Sequence, residues 1–272
     1  MVKNKVCVAS AKEYTKEQFI EALKEIRKKG WIPNARQGND GGAGNTLEDL
    51  LGIDENNLPI ADTKDWELKT QKTKENYVTL FHMDPYPRNE KFIPEVFLPK
   101  YGWPHKQAGK KYPQNEMSFR ATLNATRYTN RGFTVKVDRV NDKVLISFDA
   151  TKADQVVHGP WLTKVIATAG LGEIKPQPYW EFIVLNEKTR GKMKNVFFIG
   201  VEKRGAKGSE EFFYDTVWTL EGFDFDLFID AIENGEVLID FDARTNHNHG
   251  TKFRTKDVDS IKKLYKTVTK VF

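Results

Sequence analysis

The stretch "IADTKDWELKTQ", residues 60–71, sets several charged side chains around a short strand-like pattern. Successive side chains of an extended strand point to opposite faces, so Glu67 and Lys69 share one side while Trp66 and Leu68 share the other. The pattern predicts a strand with one apolar face and one face that pairs a carboxylate with an ammonium group. On its own, such a triplet is most simply the solvated edge of a sheet with an ion pair.

Two more carboxylates, Asp62 and Asp65, lie just upstream of Glu67. Mg²⁺ takes oxygen ligands of this kind, together with waters and a phosphate oxygen. A metal held there polarises a phosphodiester and lowers the pKa of a bound water, and the neighbouring Lys69 can position that water or neutralise developing charge. Alternation also places Asp65 on the face of Glu67, so spacing alone does not decide between Asp62 and Asp65 as the second metal ligand.

The residues before this strand add a further acidic group, in "GNDGGAGNTLEDLLGIDENNLPIAD" at 38–62. A helix is predicted over "TLEDLL", with Thr46 as a candidate N-cap and Gly52 as its end, and it carries Glu48. The helix glutamate, the "NN" turn, Asp62 and the "ELK" triplet, in this order, resemble the MvaI/BcnI family of type II restriction endonucleases. That family lies in the MutH-like branch of the PD-(D/E)XK nucleases.

The resemblance implies a role for each acidic residue. Asp62 and Glu67 would be the metal-binding carboxylates, Lys69 the catalytic lysine and Glu48 an accessory acidic residue, while Asp65 would be a bystander. It also implies an α+β fold with a PD-(D/E)XK, restriction-endonuclease-like core. In that fold a central mixed β-sheet is flanked by helices, and a β-rich recognition lobe forms a DNA-binding cleft.

A second cluster of polar residues lies in "IENGEVLIDFDARTNHNHGTKFR", residues 232–254, which reads as a strand followed by a loop. No acidic or sulfur ligand accompanies its two histidines at the spacing of a zinc site, so metal binding is disfavoured. Arginine, histidine and asparagine can instead read base edges, and a solvated loop is the remaining alternative. The segment resembles the family's DNA-recognition loop. The matching residues are His247, His249 and Arg254, with Arg244 a weaker match and Asn248 in place of the family's usual aspartate.

His82, in "LFHMDP", follows the strand after the ELK triplet. We predict that "DWELKTQ" and "NYVTLFHM" form a hairpin around the polar turn "KTKE". Some members of the family have histidine at this position, so base reading and a purely structural role are both open for His82.

The rest of the chain reads as a single α+β unit of 272 residues. Residues 84–116 are proline-rich and are predicted to be irregular and exposed. We expect one endonuclease domain over 1–272, with a catalytic lobe at about 1–90 plus C-terminal elements and a β-rich DNA-recognition lobe at about 100–250. Helices are predicted at 15–29, where Thr15 and Gln18 resemble a capping box, and at 226–234 and 258–268. Strands are predicted at 132–140, 142–149, 179–186, 196–204, 212–220 and 236–243.

Composition narrows the class of protein. Lys and Arg number 43 against 38 Asp and Glu, a formal charge of +5 that fits a polyanionic partner such as DNA. The basic runs at 105–113, 188–194 and 202–208 read as solvated loops. The single Cys7 excludes an internal disulfide framework, and no apolar run approaches the roughly 20 residues of a membrane span or resembles a signal peptide, so we expect a cytoplasmic protein.

The resemblance therefore implies a Mg²⁺-dependent type II restriction endonuclease. It would hydrolyse phosphodiester bonds of double-stranded DNA at a short CC-N-GG-like pseudo-palindrome and leave 5′-phosphate ends. It would act as a monomer that nicks each strand in turn, and a cognate DNA methyltransferase would protect the host. A MutH-like strand-nicking enzyme of mismatch repair and a catalytically silent DNA-binding protein are the alternatives.

Overall fold

The structure is a computed structural model that describes residues 14–36, 42–53, 66–73, 77–88 and 91–272. The chain divides into two compact units. The first comprises Met1–Glu75, Gly191–Gly222 and Lys266–Phe272, and the second comprises Asn76–Arg190 and Phe223–Tyr265. No helix in the described ranges is long and apolar enough to cross a membrane.

The first unit is built on a five-stranded mixed sheet. Its central strands are antiparallel, and one edge strand runs parallel to its neighbour. The order is β1-β10-β9-β2, with β13 also pairing with β10. The strands are β1 (Ile32–Pro33), β2 (Glu67–Lys72), β9 (Asn195–Arg204), β10 (Glu211–Phe223) and β13 (Tyr265–Lys270), and the helices of this unit are α1 (Lys16–Lys28) and α2 (Gly42–Leu51).

Helix α1 confirms its predicted capping box. The Thr15 side chain accepts a hydrogen bond from the Gln18 backbone, and the Gln18 side chain accepts one from the Thr15 backbone. Its buried face packs Phe19 on Phe197 of β9 at 4.6 Å between ring centroids. Tyr214 of β10 lies in the same apolar cluster, and its hydroxyl donates to the Ala43 carbonyl of α2. Both helices are thereby fixed against the sheet that carries β2.

The hairpin predicted for β2 is wrong. β2 pairs in parallel with β9, whereas the next strand, β3 (Val78–His82), pairs with β12 (His247–Thr255) in a different sheet. Both partners lie far away in sequence, so the short polar link between β2 and β3 carried no information about their pairing. Residues 196–199 and Val201 of β9 are buried and apolar, as expected where a strand is covered on both faces, and its last three residues, 202–204, are charged and exposed.

The second unit contains a five-stranded antiparallel sheet and a three-stranded one. The larger sheet has the order β3-β12-β11-β5-β4 and the smaller the order β6-β7-β8. The remaining strands are β4 (Trp103–Pro104), β5 (Met117–Leu123), β6 (Arg131–Asp138), β7 (Lys143–Ala153), β8 (Tyr179–Glu181) and β11 (Val237–Arg244). The helices are α3 (Gln155–Ala169), α4 (Phe182–Lys192), α5 (Phe225–Glu233) and α6 (Val258–Lys262), and the last two residues of α4, Gly191 and Lys192, belong to the first unit.

Several predicted elements of the second unit differ from the structure. Residues 84–116 are not simply irregular and exposed, because they include a π-helix, Ile93–Tyr101, whose Phe97 stacks on Phe119 of β5 at 4.5 Å. The strand expected at 179–186 ends at Glu181, where α4 begins. The first residues of α4, 182–185, are apolar and typical of a strand, but tertiary packing overrides that preference.

The ends of two predicted helices are also wrong. α2 begins at Gly42, so Thr46 lies inside the helix rather than capping it, and its hydroxyl donates to the Asn34 side chain. The C-terminal helix predicted to reach 268 ends at Lys262, and β13 follows it. The β-branched residues Thr267, Val268 and Thr269 favour the strand there.

Candidate active site and nucleic-acid interface

Glu67 is a buried carboxylate at the first position of β2, with 5% of its surface exposed. Lys69 Nζ donates to Glu67 Oε1 at 2.8 Å, which confirms that the two side chains share one face of the strand. Trp66 and Leu68 pack against the apolar core on the other side. A buried carboxylate is costly unless it is paired, so this arrangement is held by the fold rather than by chance surface contact.

A second lysine reaches the same carboxylate. Lys192, the last residue of α4, donates from Nζ to Glu67 Oε2 at 3.4 Å. Each oxygen of Glu67 therefore faces one ammonium group. Reading the basic run at 188–194 as a solvated loop was wrong for Lys192, whose side chain is only 17% exposed.

Lys192 had no local signal in the sequence. Glu67 is the register partner of Val196 in the parallel pair of β2 and β9, and Lys192 lies just before β9. The lysine is brought to the carboxylate by that register alone. Knowledge of the strand pairing would have been needed to find it.

Of the other acidic candidates, only Glu48 lies in the described part of the chain. Glu48 is half-buried on α2, and the N-terminal part of this helix lies beside β2, since a Cβ at Gly44 would contact the Thr70 hydroxyl at 3.4 Å. The adjacent Asp49 turns away and pairs with Arg36 at 2.6 Å. Asp62 and Asp65 lie outside the described residues. Within the described ranges no three acidic, histidine or cysteine side chains form a metal cluster.

A divalent cation fits the donor chemistry that is present. Glu67 offers buried carboxylate oxygens at the start of β2. Mg²⁺ usually binds one or two protein carboxylates and completes its coordination with waters and phosphate oxygens. Lys69 stands beside Glu67 as a cation that can act on a phosphate or a water.

The polar candidates of the second unit lie on strands, not on a loop. The "HNHGTKFR" segment forms β12, so the loop expected there is wrong. β12 pairs with β11 on one side and with β3 on the other, and Gly250 has the positive φ of a bulge near the point where the register shifts. Glycine and asparagine are typical of loops, but pairing with β3 and β11 holds this segment in a strand.

Strand registers place most of these residues on one side of the five-stranded sheet. His82 pairs with Lys252, and Arg244 pairs with His247. The opposite side carries the buried Phe119, Phe241 and Phe253. We call the first side the polar face and define it by His82, Arg120, Asp240, Asp242, Arg244, His247, His249, Lys252 and Arg254.

Carboxylates hold the arginines of the polar face. Arg254 Nη1 donates to Asp240 Oδ2 at 3.0 Å, and Arg120 Nε donates to Asp242 Oδ1 at 2.5 Å. Burial acts to raise the pKa of Asp242, but the hydrogen bond and charge of Arg120 outweigh it and hold that pKa below its ordinary value. The same pairing raises the pKa of Arg120.

Arg244 and the two histidines line a small cavity on this face. Arg244 Nη1 donates to the buried Glu116 at 2.9 Å, and its guanidinium lies over the Tyr112 ring at 4.5 Å. The Nε2 atoms of His247 and His249 lie 3.0 Å apart, so one ring donates to the other. The cavity has a volume of about 110 Å³ and is lined by His105, Tyr112, Arg120, Asp242, Arg244, His247 and His249.

Asn248 is not part of this group. Its register partner is the buried Ala243, so it alternates away from the polar face, and its Oδ1 accepts from the Gly250 backbone at 2.9 Å. His82 is exposed and lies beside Gly250. His105 and Arg120 were not predicted from the sequence as part of this face, because only the fold brings residues 105–120 to β11 and β12.

A comparison with models of protein families shows to which family the chain belongs. The model of the MvaI/BcnI restriction endonuclease family matches residues 20–265. The chain belongs to the MvaI/BcnI restriction endonuclease family. It is therefore a DNA-cleaving hydrolase of the restriction type, and the resemblance seen in the sequence is confirmed.

A solved structure supports the fold of this family member. The chain is similar to the restriction endonuclease MvaI in complex with its cognate DNA substrate, with a TM-score of 0.75 and 21% identity over 96% of this chain and 100% of that one. It also matches MvaI in the absence of DNA, with a TM-score of 0.49 and 21% identity over the same shares. The restriction-endonuclease-like α+β fold is thus confirmed. No curated protein sequence matches the chain.

Proposed function

We propose that this chain is a Mg²⁺-dependent type II restriction endonuclease that hydrolyses both strands of DNA at a short specific sequence. The observation that carries the proposal is the buried Glu67 with Lys69 hydrogen-bonded to it at the start of β2, in a chain of this family. The site would be a CC-N-GG-like pseudo-palindrome. The enzyme would act as a monomer that nicks each strand in turn and leaves 5′-phosphate ends.

Each residue of the catalytic set has a separate task in this proposal. Glu67 and Asp62 hold the metal, and Glu48 adds negative charge from α2. When bound, Mg²⁺ would polarise the phosphodiester and lower the pKa of a coordinated water. Lys69, held in place by Glu67, orients that water and offsets the charge that develops on the phosphate.

The polar face would read the bases. An arginine whose one edge is held by a carboxylate keeps other N–H groups for guanine O6 and N7. Arg254 beside Asp240 and Arg244 beside Glu116 have this form. His82, His247 and His249 are exposed on the same face and can donate to or accept from base edges. Asn248 would act on the backbone of β12, because its carboxamide is bonded to Gly250.

Double-stranded DNA is the proposed substrate, and the similarity to MvaI in its cognate DNA complex supports it. Such an enzyme would work in the cytoplasm, where it would encounter DNA that enters the cell. A cell that carries it needs the same sequence protected, so a cognate DNA methyltransferase is the expected partner activity.

The test is plasmid cleavage by the purified protein with Mg²⁺. Discrete linear fragments are the expected result, and chelation with EDTA should abolish them. Nicked circles alone would favour a MutH-like strand-nicking enzyme, and unchanged DNA would favour a silent DNA-binding protein.

A further inference from the structure

Lys192 is the described residue at the candidate active site that the proposed chemistry does not use. It reaches Glu67 Oε2 from the end of α4, while Lys69 reaches Oε1 from β2 itself. The three side chains carry one negative and two positive charges. Among these three described side chains, Lys69 alone would neutralise Glu67, and Lys192 adds a second positive charge.

The position of Lys192 is built into the fold. The next residue, Met193, and Val196 at the start of β9 are both fully buried. The backbone that follows Lys192 is thus anchored in the interior of the first unit. The ammonium group that contacts Glu67 therefore lies at a helix end that the fold holds in place, and not in a surface loop.

The two ammonium contacts differ in strength. Lys69 Nζ lies at 2.8 Å from its oxygen, within the usual range of a charge-assisted hydrogen bond, whereas Lys192 Nζ lies at 3.4 Å. A divalent cation bound to either oxygen of Glu67 lies close to the ammonium group on that oxygen, and the two positive charges repel each other. The longer and weaker contact is the one that is released more easily.

We propose that Lys192 is an exchangeable cation that holds Glu67 Oε2 without metal and gives that oxygen up to the divalent ion. This inference rests on the metal-binding role of Glu67 in the proposed function. Lys192 acts through Glu67 and is a positioning residue. It keeps the buried carboxylate paired before metal arrives, and it competes with the metal, so it sets the ion concentration at which the site fills.

Direct Mn²⁺ binding to the DNA-free protein, followed by electron paramagnetic resonance, tests the proposal without any cleavage. Lys192→Met removes the competing charge and should tighten Mn²⁺ binding about tenfold, because a unit charge a few ångströms from the ion interacts strongly with it. Lys192→Arg keeps the charge and should stay near the parent affinity. Lys194→Met, an exposed lysine nearby, is the matched control for net charge.

Lys192→Gln serves as the second variant if Lys192→Met does not fold, as judged by its thermal melt. It keeps a hydrogen-bond donor to Glu67 and removes the charge, so it should also bind Mn²⁺ more tightly. Mn²⁺ binding by these variants that is no tighter than that of Lys194→Met overturns the proposal.

Cleavage of plasmid DNA over a Mg²⁺ titration separates this role from that of Lys69. Lys192→Met should reach its half-maximal rate at a lower Mg²⁺ concentration and should keep a saturated rate near that of the parent. Loss of cleavage at every Mg²⁺ concentration would make Lys192 part of the chemistry and overturn the exchange. A parent protein that cuts no DNA would refute the proposed function, and the Mn²⁺ measurement would still decide the exchange.

Discussion

On β2, one carboxylate faces two ammonium groups, whereas on the polar face of the second unit each arginine has a carboxylate of its own. Glu67 is buried and shared between Lys69 and Lys192. Arg254 is held by Asp240, and Arg120 by Asp242, on a face that also exposes histidines. The buried carboxylate oxygens suit the binding of a metal, and the ammonium groups beside them suit a phosphate. Guanidinium groups fixed in direction suit the reading of base edges.

We therefore expect substitutions in the two regions to have different effects. Changes at β2 should stop the reaction and leave DNA binding intact. Changes on the polar face should alter which DNA is bound and leave the chemistry intact. The first two variants below test that separation, and the third tests how a carboxylate of the polar face pairs with its arginine.

The largest effect is expected for Lys69→Met. Removing a cation that acts on the reacting phosphate should slow single-turnover cleavage by about 10³-fold or more. Binding of the same DNA with Ca²⁺ in place of Mg²⁺ should stay within about threefold of the parent. Lys24→Met, at an exposed lysine on α1 that pairs with Glu21, is the control and should cut like the parent. Equal loss of binding and cleavage would contradict the separation.

A smaller effect is expected for Arg254→Lys on the polar face. A lysine cannot make the bidentate contact that an arginine makes with guanine, so binding to the cleaved sequence should weaken about 5- to 150-fold. Competition binding against unrelated DNA measures the discrimination, and non-specific binding should change little. Arg139→Lys, at an exposed arginine paired with Asp230 and Glu233, is the control. If both DNAs are lost equally, Arg254 contacts the phosphate backbone instead.

The smallest effect is expected for Asp242→Asn, and it depends on pH. The pKa of Asp242 lies below its ordinary value of 3.8, so its pairing stabilises the fold above that value and is lost as the pH falls through the lower, folded-state pKa. Because the pair is partly solvated, we expect the melting temperature at pH 7 to fall by about 1–3 °C. The difference should vanish in acid. Asp259→Asn, an exposed aspartate, should show no such trend, and a pH-independent loss for Asp242→Asn would contradict the account.

Local patterns in the sequence predicted what local physics decides. Alternation along a strand placed Glu67 beside Lys69, and the capping box of Thr15 and Gln18 began α1, as the structure confirms. Both features depend only on residues two or three positions apart in the sequence. The family resemblance on the same stretch was confirmed over most of the chain.

Long-range pairing explains what the sequence did not reveal. Lys192 meets Glu67 only because β9 runs parallel to β2 in one register. β3 follows β2 in sequence yet pairs with β12. Arg120 reaches Asp242 through the register of β5 and β11. None of these contacts has a spacing that can be read along the chain.

The measurement that tests the central claim most directly is the sequencing of every DNA end that the protein produces with Mg²⁺, beside Lys69→Met. The account predicts that the parent's ends share one short sequence and carry 5′-phosphates, and that the variant produces almost none. Ends without a common sequence, or equal cutting by Lys69→Met, would contradict it.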